Sequence, residues 1–229
     1  MDMDTLKDIH IPDVVPVMTL QETVLFPHVV MPLFIFEQRY RKMLKDVLQS
    51  HRLFAVFNEK ELDDECGHEE PLSVMGTVGM VRAAHQNPDG TSNLALQGIA
   101  RVKLIEIIQE SPYRLIRIAP CLDALPEDSN IPKIRSEILS LIDENPHLTQ
   151  GLPKEYLKFI QSLEGPGPFI DIASHSMCDD SKFKQQLLET LSIHDRFGLF
   201  FSFLSSQCKK FELFKELQGD TKDDEIELN

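Results

Sequence analysis

Three groups of side chains in this sequence have types and spacings that could carry chemistry. His175 and Cys178 stand three residues apart, which on a helix puts two soft metal ligands on one face. A zinc site needs three or four such ligands, and no second His/Cys pair is placed to complete one. Between Glu59 and Glu70, seven of twelve residues are acidic, and they surround Cys66 and His68. Clustered carboxylates suit a hard cation, but the spacing of a calcium loop is absent, so the run reads as a solvated loop. Ser174 and Ser176 flank His175 as a nominal nucleophile and base, yet neighbours on a helix point in different directions. The sequence has no phosphate-cradling glycine loop, no nucleophile elbow and no H-E-x-x-H. It therefore predicts no catalytic residue, no metal and no cofactor.

The elements that must position any site change character near residue 125. Before it the dominant period is two. Val15 and Val17 begin one strand and Leu53–Phe57 form another. Between them Phe36, Tyr40, Met43, Leu44, Val47 and Leu48 fall on one helical stripe. Asn87-Pro-Asp-Gly90 is a turn joining Thr77–Ala84 to Ser92–Leu96. Gly98 interrupts that strand before Val102, and Pro112 precedes a last strand over Tyr113–Cys121. Short strands with frequent turns predict a strongly curved sheet or partly open barrel, which protects its edges by closing.

After residue 125 the period is 3.6. Helices are expected from Ile131, with Pro132 in the first turn, and from Pro153, with Tyr156, Leu157, Ile160 and Leu163 inward. Gly165-Pro-Gly-Pro168 reads as a breaker before Phe169–Met177. Asp180 and Ser181 then cap a helix that buries Phe183, Leu187, Leu188 and Leu191. The last helix runs from Ile193 to Leu217, stopped by Gly219. Its six phenylalanines (Phe197, Phe200, Phe201, Phe203, Phe211, Phe214) are too many for one face, so it is either embedded or offers a second face to a partner such as a second copy. The expected class is α+β: an extension over 1–13, a β-rich lobe over 14–124, a helical lobe over 125–218 and an acidic tail over 219–229.

Charge narrows the partners. The 229 residues carry 37 acidic and 23 basic side chains, a formal net charge of −14. Neither half is basic, which opposes nucleic-acid binding, because that rests on lysine and arginine neutralising phosphates. The longest apolar runs fall far short of the roughly 20 residues of a membrane span, and the first ten residues lack the pattern of a secretory signal. Four widely spaced cysteines fit a reducing compartment. The expectation is a cytoplasmic protein that binds neither nucleic acid nor membrane.

Several segments, in order, resemble the N-terminal substrate-binding domain of the ATP-dependent Lon protease. Val15–Pro27, ending Thr-Val-Leu-Phe-Pro, and Met31–Arg41, containing Pro-Leu-Phe-Ile-Phe-Glu-Gln-Arg-Tyr, match its opening pattern. Val74–Gly79, Leu96–Arg101 and Pro112–Arg114 stand where that family has further strands. Ile172-Ala173, Lys184–Leu191 and Asp195-Arg196 are similar to its helices. The resemblance spans roughly 14–218. It departs at His28, where glycine is usual, and at Gln38, where proline is common. The chain ends where the protease would continue into its ATPase and serine–lysine peptidase, so the resemblance implies a free-standing binding domain and transfers no hydrolytic activity.

The resemblance implies a PUA-like β pseudo-barrel with one inserted helix, followed by a helical bundle, and a role in engaging polypeptide segments or unfolded proteins. A separate ATP-dependent protease and a second copy of the chain are the other candidate partners. Leu25, Phe26, Leu33, Phe34 and Phe36 are expected to seal one barrel end beneath the helix, with Glu37, Arg39 and Arg101 as candidates for an ion pair clamping helix to sheet. The candidate polypeptide-binding residues are Val29, Val30 and Met31, as an exposed apolar edge or groove, together with Glu37 and Arg39. Two alternatives stand beside this reading: a hydrolase using His175 or the 59–70 carboxylates, and a small-molecule or RNA-binding PUA-like domain.

Overall fold

The computed structural model describes residues 9–59, 72–124 and 130–220, with side chains to Leu217. The acidic run around Cys66 and His68, the first eight residues and the tail after Asp220 lie outside the described residues. The strands are β1 (Val14–Leu20), β2 (Val30–Ile35), β3 (Leu53–Asn58), β4 (Met75–Gln86), β5 (Ser92–Gln109) and β6 (Leu115–Pro120), with α1 (Gln38–Leu48) between β2 and β3. β1 and β3 are parallel, with Val17 opposite Ala55. A parallel pair needs a crossover, and β2 with α1 supplies it.

Closure comes from β5. Its first half pairs with β2, most of its length pairs with β4, and Val102–Gln109 pairs with β6, which returns to β1. Strands β5, β4, β3, β1 and β6 thus form a ring, and β2 lies outside it with β5 as its strand partner. Register shifts at Val78/Gly79, Val81/Ala83 and Leu104/Glu106 mark the bulges that let so long a strand bend around the barrel. Val15, Val17, Leu53, Ala55, Phe57, Val78, Val102, Ile116 and Ile118 fill the interior. The opposite face of β3, through Phe54 and Val56, joins a second core under α1 that continues into the helices. Strand β3 is buried on both faces, which is why Leu53–Phe57 is an unbroken apolar run.

Gly98 does not interrupt β5; the strand passes straight through it. A Cβ there would sit 2.1 Å from the carbonyl oxygen of Phe26, so glycine is required by the close approach of the Leu25–Pro27 segment. Two backbone hydrogen bonds hold that approach, from His28 N to Gly98 O and from Gly98 N to Val29 O. His28 has φ +68°, the left-handed region. This explains why glycine is usual at that position of the motif: a side chain there carries a steric cost of roughly 1–2 kcal/mol. His28→Gly is accordingly expected to be more stable than His28→Ala by about 1 kcal/mol, read from urea midpoints; equal midpoints would remove the conformational explanation.

The helical lobe comprises α2 (Ile131–Glu144), α3 (Lys154–Ser162), α4 (Pro166–Met177), α5 (Ser181–Glu189) and α6 (Ile193–Asp220), with one 3-10 turn at Pro146–Thr149. Asp180 caps α5 as expected, its carboxylate accepting from Lys182 N and Phe183 N. Two expectations are corrected. Gly165–Pro168 starts α4 instead of separating it from what precedes, because proline in a first turn gives up no intrahelical hydrogen bond. Gly219 does not stop α6, which runs to Asp220. Along α6, Phe197 and Phe200 are fully buried, Phe201, Phe203 and Phe211 are half-buried, and Phe214 is exposed. The helix is embedded at its start and open at its end.

Candidate functional site

Strand β2 alternates strictly. Met31 and Ile35 point inward and are buried against the core that contains Tyr40, Met43, Leu44 and Val47 of α1. Burying such side chains stabilises by roughly 1.5–3 kcal/mol each, so β2 is firmly seated. The alternate positions Val30, Pro32, Phe34 and Phe36 all point outward and are exposed. Phe34 is 54% and Phe36 62% exposed, and their rings stack on each other at 6.1 Å. The helix therefore begins after Phe36, and Phe34 and Phe36 do not seal the barrel; a period-two strand reaches two residues further than the helical stripe suggested.

Register fixes what lies beside this ridge. Val30, Pro32 and Phe34 stand opposite Gln97, Ala95 and Asn93 of β5, and Ala95 and Asn93 stand opposite Ala83 and His85 of β4. Arg82, the extra residue of the bulge, donates from Nε to Gln97 Oε1 at 2.6 Å. None of the side chains in these rows is acidic. On a chain of net charge −14, an apolar ridge bordered by neutral and weakly basic groups is a distinct surface. The other exposed isoleucines, Ile105, Ile107 and Ile108, are interleaved with Glu106 and Glu110 and form no continuous patch. Strand β2 also presents its second edge without a strand partner among the described residues, and Pro32 has no N–H to give a ladder, a residue confined to edge positions.

Of the expected binding residues, Val30 is exposed. Val29 and Met31 are buried at 5% and 7%, so an exposed Val29–Met31 patch is corrected to the set Val30, Pro32, Phe34 and Phe36. Hydrophobicity alone did not tell which phase of the strand faced out. Glu37 and Arg39 do pair, at 2.9 Å, half-exposed beside Phe36, with the Arg39 guanidinium over the Tyr40 ring.

Arg101 is no part of that pair. It is buried and joins barrel to helices: its guanidinium grips Asp171 of α4 with two bonds of 2.9 and 2.6 Å, and its Nε donates to the Leu188 carbonyl at the end of α5. Arg196 of α6 shares Asp171 and lies 2.7 Å from Asp123, which also meets Arg101 at 3.3 Å. Two cations and two anions thus lock the lobes together. Asp171 was legible as an oddity, a lone acid in Phe-Ile-Asp-Ile-Ala, because a charge in an apolar helix must find a partner.

The Val24–Pro27 segment is buried at the same junction. The Thr77 hydroxyl donates to the Leu25 carbonyl at 2.6 Å, and Phe26 meets the His175 ring edge-on at 6.4 Å. Burial, reinforced by Lys184, pushes the His175 imidazole down to about 4, against an opposing hydrogen bond with the Val24 backbone. Cys178 is pushed up to about 12 by burial. Ser176 donates to the Ile172 carbonyl of its own helix and meets the Tyr156 hydroxyl. A neutral imidazole, an un-ionised thiol and a hydroxyl turned to its own backbone form no nucleophile–base pair. Among the described residues no three His, Cys, Asp or Glu side chains are grouped to hold a metal.

The His175 shift has a consequence for stability. The folded ring stays neutral down to about 4, while the unfolded one takes up a proton near 6.5. Stability is therefore full above about pH 6.5 and is lost as pH falls toward 4, by up to about 3 kcal/mol. His175→Gln, which does not titrate, should lose about that much less than the parent chain between pH 7 and 4 in denaturant titrations. Parallel loss in both proteins would contradict it.

A five-stranded closed barrel with one excursion of strand and helix, locked to a helical lobe, defines an α+β pseudo-barrel domain. Residues 14–206 match the family model of the ATP-dependent protease La (Lon) substrate-binding domain. The chain belongs to that family. It is 23% identical over 214 residues to a Lon protease of Dictyoglomus thermophilum, covering 93% of this chain and 27% of that one. To a Lon protease of Anaeromyxobacter dehalogenans it is 27% identical, covering 93% of this chain and 25% of the relative. It thus spans about a quarter of the length of the curated relatives it matches. The N-terminal domain of a Mycobacterium avium complex Lon protease superposes with a TM-score of 0.63 at 16% identity, over 84% of this chain and 98% of that one. A Lon N-terminal domain protein from Xanthomonas campestris gives 0.58 at 18%, over 82% and 97%. These two likenesses concern the fold.

Proposed function

We propose that this chain holds extended, apolar polypeptide segments on the open face of β2 and cuts nothing itself. The observation that carries the reading is the outward ridge of Val30, Pro32, Phe34 and Phe36, rigidly backed and free of acidic neighbours on a strongly acidic protein. An unfolded segment can lie beside the edge of β2 as an added strand and place alternate apolar side chains against the two phenylalanines. Apolar patches of this kind usually mark contact sites. The surrounding negative charge disfavours acidic segments over a range of about 8 Å at physiological salt.

Membership of a substrate-binding family supports the same reading, and so does the absence of an assembled catalytic group at His175. A Lon-type protease is the natural recipient of segments gripped here. The cysteines Cys121, Cys178 and Cys208 are free thiols, and no helix among the described residues is long and apolar enough to cross a membrane, which supports a cytoplasmic setting. Fluorescence anisotropy with a labelled, permanently unfolded protein tests the proposal. Saturable binding that apolar peptides compete away, and folded controls do not, is expected; binding of folded and unfolded proteins alike would refute it.

A further inference from the structure

We propose that two copies of this chain pair antiparallel along α6, with a twofold axis near residue 208, each seating the end of its helix in a groove of the other. The groove, about 890 Å³, runs between α6 and the α4–α5 junction, floored by Met177, Phe183, Leu199 and Phe203. On α6 the residues Leu199, Phe203, Ser206, Lys210, Leu213 and Leu217 recur at alternating steps of four and three, one stripe of a helix that can pack against another. Four of them, with Phe214 beside them, face or border the groove or are exposed past it.

The stripe is its own complement. Reversed about residue 208, Leu199 meets the partner's Leu217, Phe203 meets the partner's Leu213, and Ser206 meets the partner's Lys210. The overlap from 199 to 217 is about 27 Å long at 1.5 Å per residue. A surface that matches itself under a twofold is what a closed dimer requires. Charge agrees. The groove wall carries Asp179 and Asp180, while the segment that would enter it carries Lys210 and Lys215. That acidic wall sets the groove apart from the acid-free face of β2, so the proposal is independent of the polypeptide-binding reading.

The end of α6 supplies a further argument. His147 stacks on Phe211 at 3.9 Å, the last ring contact with the lobe. Past it Leu213 and Phe214 are 57% and 56% exposed, yet the helix continues to Asp220. Short helices are marginal without packing of an apolar face; a second α6 provides that packing.

Light scattering on the full chain should give about twice the 26.2 kDa protomer mass at tens of micromolar. Leu213→Asp should return it to the monomer with its circular dichroism unchanged and its unfolded-client binding intact. Orientation is read by mixing Ser206→Cys and Lys210→Cys chains with a short bis-maleimide: a 206–210 link between copies is expected, found by mass spectrometry. A monomer at all concentrations, links dominated by 206–206, or cross-linking of the groove to the chain's own residues 221–229 would each overturn the proposal.

Discussion

Asp171→Ala is expected to lower the thermal midpoint by roughly 6–20 °C. The carboxylate is shared by Arg101 and Arg196, both about 1–2% exposed, and its loss leaves two buried guanidinium groups with Asp123 as their remaining anion. Removing one partner of a buried ion pair costs about 3–5 kcal/mol, and each kcal/mol shifts the midpoint of a domain of this size by about 2–4 °C. The sharper test is a rescue. Replacing Arg101, Asp171 and Arg196 together by Met, Leu and Met removes every uncompensated charge except Asp123, which is partly exposed. That triple variant should recover most of the loss, since apolar groups of similar volume often substitute for a buried charge cluster. By contrast Glu37→Ala breaks a half-exposed pair with Arg39 and should change stability by under about 1 kcal/mol. An Asp171→Ala protein as stable as its parent would mean that the two arginines are not held as described.

The second large effect concerns binding. Phe34→Ala with Phe36→Ala is expected to weaken affinity for unfolded polypeptide by roughly 30- to 1000-fold. Buried aromatic anchors in contact sites cost about 2 kcal/mol or more when truncated, and 1.4 kcal/mol is a factor of ten. Because both rings are more than half exposed in the free chain, folding stability should change by under about 1 kcal/mol, mostly their mutual stacking. Ile105→Ala with Ile108→Ala removes comparable exposed apolar area from the far end of β5 and should leave affinity unchanged. Equal losses in the two double variants would mean that general stickiness, and no particular face, carries the binding.

Much of the architecture was legible in the residues. Alternation placed β1 and β3, the Asn87–Gly90 turn placed the β4–β5 hairpin, and the 3.6 period placed α2, α3 and α5. What one chain could not show was phase and partnership. Met31 and Phe34 are equally apolar, and only the seating of β2 on α1 decides that one is core and the other surface. Arg101 lies 70 residues from Asp171 in sequence and 87 from Leu188, so no local pattern could join them. Gly98 was legible as unusual, but its reason, the passage of Phe26 across β5, is a tertiary contact. The position of His28 in the motif was legible too; its left-handed backbone explains the residue expected there.

Hydrogen exchange of the chain, with and without saturating unfolded client, most directly locates the grip. New protection should fall on Val30–Phe36 and the adjoining stretch of β5, while amides of the helical lobe exchange as before. Protection confined to the groove beside α6, or none anywhere at saturation, would contradict the assignment of polypeptide binding to the outward face of β2.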